Sequence, residues 1–197
     1  MNLANKITLL RIVLTFVFIF FFLFPFKGDW MLWAKVASLF VFLLAALSDF
    51  LDGMIAHKKN MVTDFGKLMD PIADKILVLS AFIAFVQMQL VATWMVVIII
   101  SREFLITSLR IFALNKGRVL SAGRSGKHKT LSQMVVILFI LFFTVLKEVR
   151  KTFYTWNPDW ESFFRQGIDI AMWFIVALTI YSGFTYLWEN RKIIANI

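Results

Sequence analysis

Asp49-Phe-Leu-Asp52-Gly53 ends one long apolar run, and Gly66-Lys-Leu-Met-Asp70-Pro-Ile-Ala-Asp74 opens the next. These two stretches decide how the chain is read. On a helix Asp49 and Asp52 are i,i+3 neighbours, while Gly66, Asp70 and Asp74 repeat at i,i+4,i+8, so each set lies on one face. A carboxylate carried to the bilayer centre costs about 2.5–3.5 kcal/mol on insertion scales, so four of them need cations. The economical compensation is one or two divalent metals, because carboxylate oxygens suit hard ions such as Mg2+, Mn2+ or Ca2+. Each pair also has a plainer reading. Asp49 and Asp52 could be a solvated helix end, and Asp70 and Asp74 could pair with Lys67, Lys75 or a neighbouring helix. The four together, with Gly53 and Gly66 beside them, favour a built site.

Outward from these stretches the chain is greasy. It has 197 residues, 60% of them hydrophobic, against about 45–50% apolar in a soluble domain. We read it as an all-α integral membrane protein with a single domain over residues 1–197. Crossing the hydrocarbon takes about 20 apolar residues, and six stretches reach or approach that: 7–26, 30–51, 65–91, 93–115, 130–149 and 164–188. The third and fourth carry charges toward one end of each, which fits a cavity opening to one membrane surface. The mixed opening, residues 1–11, is expected to lie partly along the interface as a short amphipathic segment. The first apolar run is too long for a signal peptide and lacks a small-residue cleavage site, so it is read as a permanent span. Cysteine is absent, which excludes disulfides and thiolate metal sites. No internal repeat is visible, against the repeat-built transporter folds.

The formal net charge is +9, yet the basic residues sit in short connections between apolar runs, as topology signals and headgroup contacts do. Nucleic-acid binding is set aside on that pattern. One side holds Lys6, Arg11, Lys58, Lys59, Lys67, Lys116, Arg118, Arg124, Lys127, Lys129, Arg191 and Lys192, and the other Lys27, Lys147, Arg150, Lys151 and Arg165. The heavier side is cytoplasmic by the positive-inside rule. It carries both termini and the aspartate pairs, as expected of a multi-pass protein of a bacterial-type inner membrane. The Gly/Ser-rich basic stretch 117–129 is expected to be flexible or to wrap an anion, and 152–161 to be an outer-face loop among headgroups. Intramembrane carboxylates also mark ion pathways, so a cation transporter is the alternative of a different class.

Written out, the pattern is Asp49-x2-Asp52-Gly53-x2-Ala56-His57-x8-Gly66-x3-Asp70-x3-Asp74. It resembles the signature of the CDP-alcohol phosphatidyltransferases. One position departs, because His57 stands where that family usually has Arg. Asn5-x2-Thr8-x2-Arg11, Ile100-Ser-Arg102-Glu103-Phe-Leu-Ile-Thr-Ser-Leu-Arg110 and Gly126-Lys127-His-Lys129-Thr130-x2-Gln133 look like segments of the phosphatidylglycerophosphate-forming branch. The resemblance implies a six-helix homodimer with two divalent ions, Mg2+ or Mn2+, in a cytoplasmic polar cavity. It implies CDP-diacylglycerol as donor and sn-glycerol 3-phosphate as acceptor, with membrane lipids around it. Carried over by position, Asp49, Asp52, Asp70 and Asp74 are metal ligands, and Asp74 also matches the general base. Asp52, Gly53, Ala56, His57, Gly66 and Thr8 match positions that bind the nucleotide of the CDP-lipid. For the acceptor phosphate the candidates are Arg110, Arg102, Lys129 and Lys127, because guanidinium groups bind phosphate oxygens in pairs. Arg102 and Arg110 fall about 80° apart around a helix, so both can face one cavity. Their plainer reading is that Arg102 pairs with Glu103 or another helix and that the lysines are topology signals. A sibling enzyme with a different acceptor shares the same catalytic signature.

Overall fold

The structure is a computed structural model. It describes the backbone of residues 3–59, 64–116, 125–154 and 158–195, and the side chains of 6–48, 72–73, 75–116, 129–154 and 159–191. Six helices follow one another: α1 (Leu3–Leu23), α2 (Trp30–Lys59), α3 (Asp64–Gln87), α4 (Thr93–Asn115), α5 (Ser125–Phe153) and α6 (Pro158–Ala195). Strands are absent among the described residues. Pro158 opens α6, where its missing N–H is no loss and its fixed φ suits the first turn.

Side-chain pairs set the helix directions. Phe22 receives Lys35 at its carbonyl and Phe18 meets the Phe42 ring, so α1 and α2 run antiparallel. Lys147 meets Glu161, Phe143 stacks on Phe164, and Gly167 lies against Phe139, so α5 and α6 are antiparallel too. Trp94 meets Trp173 and Arg102 meets Ser182, so α4 and α6 run parallel. The result is an up-and-down bundle. One end gathers the start of α1, the ends of α2, α4 and α6, and the starts of α3 and α5; we call it the acidic end, after the four aspartates.

The interior is built largely of rings and branched chains. Phe18, Phe22, Phe42, Phe82, Phe85, Ile137, Ile140 and Ile175 are fully buried, and the Phe22 and Phe85 rings join α1 to α3 edge-to-face at 5.4 Å. Outside, Phe16, Trp33, Phe40, Trp173 and Phe174 are exposed. Polar side chains turn the other way: Thr8, Arg11, Thr15, Ser38, Gln133, Thr179 and Ser182 are buried. Apolar outside with polar groups inside is the pattern of a helix bundle in lipid, where association rests on packing and interhelical hydrogen bonds.

Among the described residues four helices carry stretches long and apolar enough to cross a membrane, Lys6–Leu23, Trp30–Ser48, Lys129–Phe153 and Asp159–Arg191. Six such spans were expected, and these four are the ones that length and composition bear out among the described residues. The described apolar part of α3, Lys75–Gln87, is shorter, and α4 carries Arg102, Glu103 and Arg110. The expected interfacial segment does not form a separate element, because α1 runs unbroken from Leu3. No Pro or Gly interrupts those residues, and Thr8 and Arg11 turn into the bundle instead of along a membrane surface. The expected loops also shrink: α5 already begins at Ser125 and extends to Phe153, with α6 starting at Pro158. Residues 117–124 and 155–157 lie outside the described residues.

Candidate active site

The second aspartate pair opens α3 and the first closes α2, so the bundle topology brings both to the acidic end. Because α2 stays helical to Lys59, Asp49, Asp52, Gly53 and Ala56 form an i,i+3,i+4,i+7 stripe on one helix. His57 lies beside that stripe. α3 is helical from Asp64 through Pro71, which keeps Gly66, Asp70 and Asp74 on one face. The side chains of Asp49, Asp52, Gly53, Ala56, His57, Gly66, Asp70, Asp74 and Lys127 lie outside the described residues.

At the same end of the bundle the described side chains build a polar network. Glu103 on α4 is its pivot. It ion-pairs with Lys129 of α5 and, at 3.3 Å, with Arg102. Lys129 is only 2% exposed. Among the described residues α4 and α5 do not otherwise pack directly, so this ion pair bridges a gap between helices. Lys75 on α3 donates to the Thr107 hydroxyl of α4, which itself donates to the Glu103 carbonyl at 2.7 Å. Arg102 reaches α6, where its Nη2 donates to Ser182 Oγ at 2.6 Å. Gly183 makes room for that reach: a Cβ there would stand 3.2 Å from Arg102 Cγ. One turn on, the guanidinium of exposed Arg110 lies 5.9 Å over the Tyr186 ring. Asn190 Nδ2 then donates to the Tyr186 carbonyl at 2.9 Å. On α1, Thr8 and Arg11 are buried near the same end.

Arg102, Arg110 and Lys129 therefore share one end of the bundle, two of them tied to Glu103 and two to α6. Thr107, Ser182 and Tyr186 were not singled out by the sequence, and Lys75 was read only as a possible partner of the aspartates. The available signal was Thr179-x2-Ser182-x3-Tyr186-x3-Asn190, a helical polar stripe inside an apolar run. Several buried polar atoms here have no hydrogen-bond partner, among them Arg102 Nε, Gln133 Nε2, Thr179 Oγ1 and Tyr186 Oη. An orphaned buried donor costs about 1–3 kcal/mol, so such a concentration at one end is what a ligand-binding region leaves behind.

The family model of the CDP-alcohol phosphatidyltransferases matches residues 1–181. The chain belongs to this family. Its relatives include the CDP-diacylglycerol–glycerol-3-phosphate 3-phosphatidyltransferase of Bacillus subtilis (strain 168), 38% identical over 97% of this chain and 97% of the relative. Proteins of the same name from Sodalis glossinidius and Salmonella typhimurium are each 32% identical. They cover 97% and 96% of this chain, and 96% and 95% of their own lengths. Membership in a transferase family sets aside the cation-transporter alternative. In this phosphatidyltransferase α2 and α3, which pack together, carry the four aspartates, and carboxylates offer oxygen atoms alone. That set fits hard divalent ions and no soft ones. The described cations at this end, Arg102, Arg110 and Lys129, outnumber Glu103, the one described acidic partner of Arg102 and Lys129, as suits a site that meets phosphate groups.

Proposed function

We propose that this chain transfers the phosphatidyl group of CDP-diacylglycerol to sn-glycerol 3-phosphate, giving phosphatidylglycerophosphate and CMP in phospholipid synthesis. The observation that carries this reading is end-to-end similarity to the Bacillus subtilis enzyme of that name, 38% identical over 97% of both chains.

Asp49, Asp52, Asp70 and Asp74 would hold two divalent ions, Mg2+ or Mn2+. When bound, such ions neutralise a pyrophosphate and polarise the attacked phosphorus. The chain's own part is positioning and proton transfer. Gly53 and Ala56, small residues on the Asp49–Asp52 stripe, leave room for the nucleotide of the CDP-lipid, with His57, Gly66 and Thr8 around it. Arg102, Arg110, Lys129 and Lys127 hold the acceptor phosphate. Asp74 takes the proton from the acceptor's primary hydroxyl as its oxygen attacks the lipid-bearing phosphorus. One P–O bond forms to glycerol 3-phosphate, the P–O bond to CMP breaks, and CMP leaves with the electron pair.

The proposal includes six membrane-crossing helices, both termini and the site on the cytoplasmic side, and a homodimer in a bacterial-type inner membrane. α3 and α4 have 24 and 23 residues, and at about 1.5 Å rise per residue they are long enough for a hydrocarbon core of about 30 Å. Lys75, Arg102 and Glu103 lower their hydropathy but have internal partners in Thr107, Ser182 and Lys129.

The test is an acceptor screen with labelled CDP-diacylglycerol and purified full-length protein, in Mg2+ and separately in Mn2+. CMP release should depend on sn-glycerol 3-phosphate. Release that follows inositol phosphate, serine or phosphatidylglycerol instead would give the acceptor to a sibling reaction and overturn this one.

A further inference from the structure

Tyr186, like Ser182 and Asn190, lies beyond the stretch that the family model matches, residues 1–181. It is only 5% exposed, and its hydroxyl has no hydrogen-bond partner. Its backbone carbonyl is taken by Asn190, and its ring lies under the Arg110 guanidinium. Both contacts fix the residue without using the hydroxyl. One turn earlier on α6, Ser182 holds Arg102 by Nη2, while Glu103 takes Nη1. Arg102 Nε is buried and unpartnered.

One unsatisfied O–H, of Tyr186, and one unsatisfied N–H, of the Arg102 guanidinium itself, thus lie where Arg102 and Arg110 of α4 meet one face of α6. A group that takes up donors and positive charge together is an acceptor-only anion, and a phosphate monoester offers several charged oxygens at once. We infer that Tyr186 is a substrate-contact residue that donates its phenolic hydroxyl to the phosphate of the acceptor, with Arg102, held on α6 by Ser182, donating through Nε to the same group. This rests on the reading given under Proposed function and extends it: α6, through Ser182 and Tyr186, becomes part of acceptor selection.

The experiment compares the full-length parent with Tyr186→Phe and Ser182→Ala, and uses Glu161→Gln at the opposite end of the bundle as a control. CMP release is measured against sn-glycerol 3-phosphate at saturating CDP-diacylglycerol, then with the roles reversed. Thermal unfolding is followed with and without sn-glycerol 3-phosphate. Tyr186→Phe should raise KM for glycerol 3-phosphate about tenfold, as loss of one hydrogen bond to a charged group does. KM for CDP-diacylglycerol should stay within twofold. Tm without ligand should not fall, because the lost hydroxyl has no partner in the protein. Ser182→Ala should shift the same constant in the same direction, and Glu161→Gln should shift neither.

An unchanged glycerol 3-phosphate KM in Tyr186→Phe, an equal shift of both constants, or a drop in ligand-free Tm would overturn the inference. A parent that releases no CMP with glycerol 3-phosphate, yet gains thermal stability from it in a way Tyr186→Phe abolishes, would sink the proposed reaction and uphold this contact. A parent with neither response refutes both.

Discussion

At the scale of single residues, the aspartates and Glu103 do opposite things with the same functional group. In the proposed reaction the four aspartates hold metal ions, whereas Glu103 is spent on Lys129 and Arg102. Replacing Asp49, Asp70 or Asp74 with Ala should therefore cost activity without costing the fold. Loss of outer-shell support alone costs about 10–100-fold, so loss of a ligand should lower CMP release by about 100-fold or more. Thermal unfolding in detergent should stay within a few degrees of the parent. Appreciable turnover in any of the three would remove that residue from the metal site. Glu103→Gln should behave the other way round. It leaves Lys129, 2% exposed, facing Arg102 with no carboxylate between them, and breaking a buried pair from one side costs about 3–5 kcal/mol. Unfolding measurements should show that loss, and the double change Glu103→Gln with Lys129→Met should recover most of it. Additive losses would mean that the pair is not coupled. The aspartate spacing was legible in sequence because period and residue type coincide there. Glu103 was legible only as a neighbour of Arg102, since nothing in one dimension tells that Lys129 lies across the gap.

At the scale of elements, helix identity could be read from sequence because length and hydropathy decide it, but helix ends could not. The run 65–91 was read as one span, yet α3 stops at Gln87. Local hydrogen bonding explains the stop. Leu90 N donates to the Phe85 carbonyl and Gln89 N to the Val86 carbonyl, both at 2.9 Å, which is a Schellman motif with Gln89 in the left-handed position. Gln89 has φ of 58°, a conformation that normally selects Gly, so no Gly or Pro announced the stop. The turn is fastened from outside as well: Arg165 Nη1 of α6 donates to the Gln89 carbonyl at 3.2 Å. Gln89→Gly should relieve the backbone cost while keeping that carbonyl bond, raising unfolding stability by about 1 kcal/mol. CMP release should not change, because the turn is at the far end from the aspartates. A destabilised Gln89→Gly protein would show that the side chain contributes more than its backbone strain costs. The same reasoning explains why α2 outran its expected end: the Asp49–His57 stripe is polar enough to look like a loop boundary, yet it is itself helical.

At the scale of the whole molecule, the buried polar groups form two unequal sets. The end opposite the aspartates has structural pairs: Lys35 on the Phe22 carbonyl at 2.5 Å and Lys147 with Glu161 at 2.7 Å. The acidic end combines the aspartate helices with cations and orphaned donors. A bundle whose polar groups were only mechanical would not sort them in this way, whereas one that takes a charged substrate from one aqueous phase must. Orientation then becomes the decisive global property for the proposed reaction, because glycerol 3-phosphate is a water-soluble anion that must reach the site from one aqueous phase. The chain has no cysteine, so single cysteines report topology without background. Asp29 and Asn115 are both exposed and belong to opposite ends of the bundle. Neither belongs to the Lys/Arg count, so changing them leaves the positive-inside bias intact. In intact cells Asp29→Cys should react with a membrane-impermeant maleimide, and Asn115→Cys should react only after the membrane is opened. The reverse pattern would put the aspartates on the outer face, away from cytoplasmic glycerol 3-phosphate, and would overturn the proposed reaction. Equal labelling of both sites in intact cells would argue for mixed insertion and against the charge rule as the determinant of orientation in this chain.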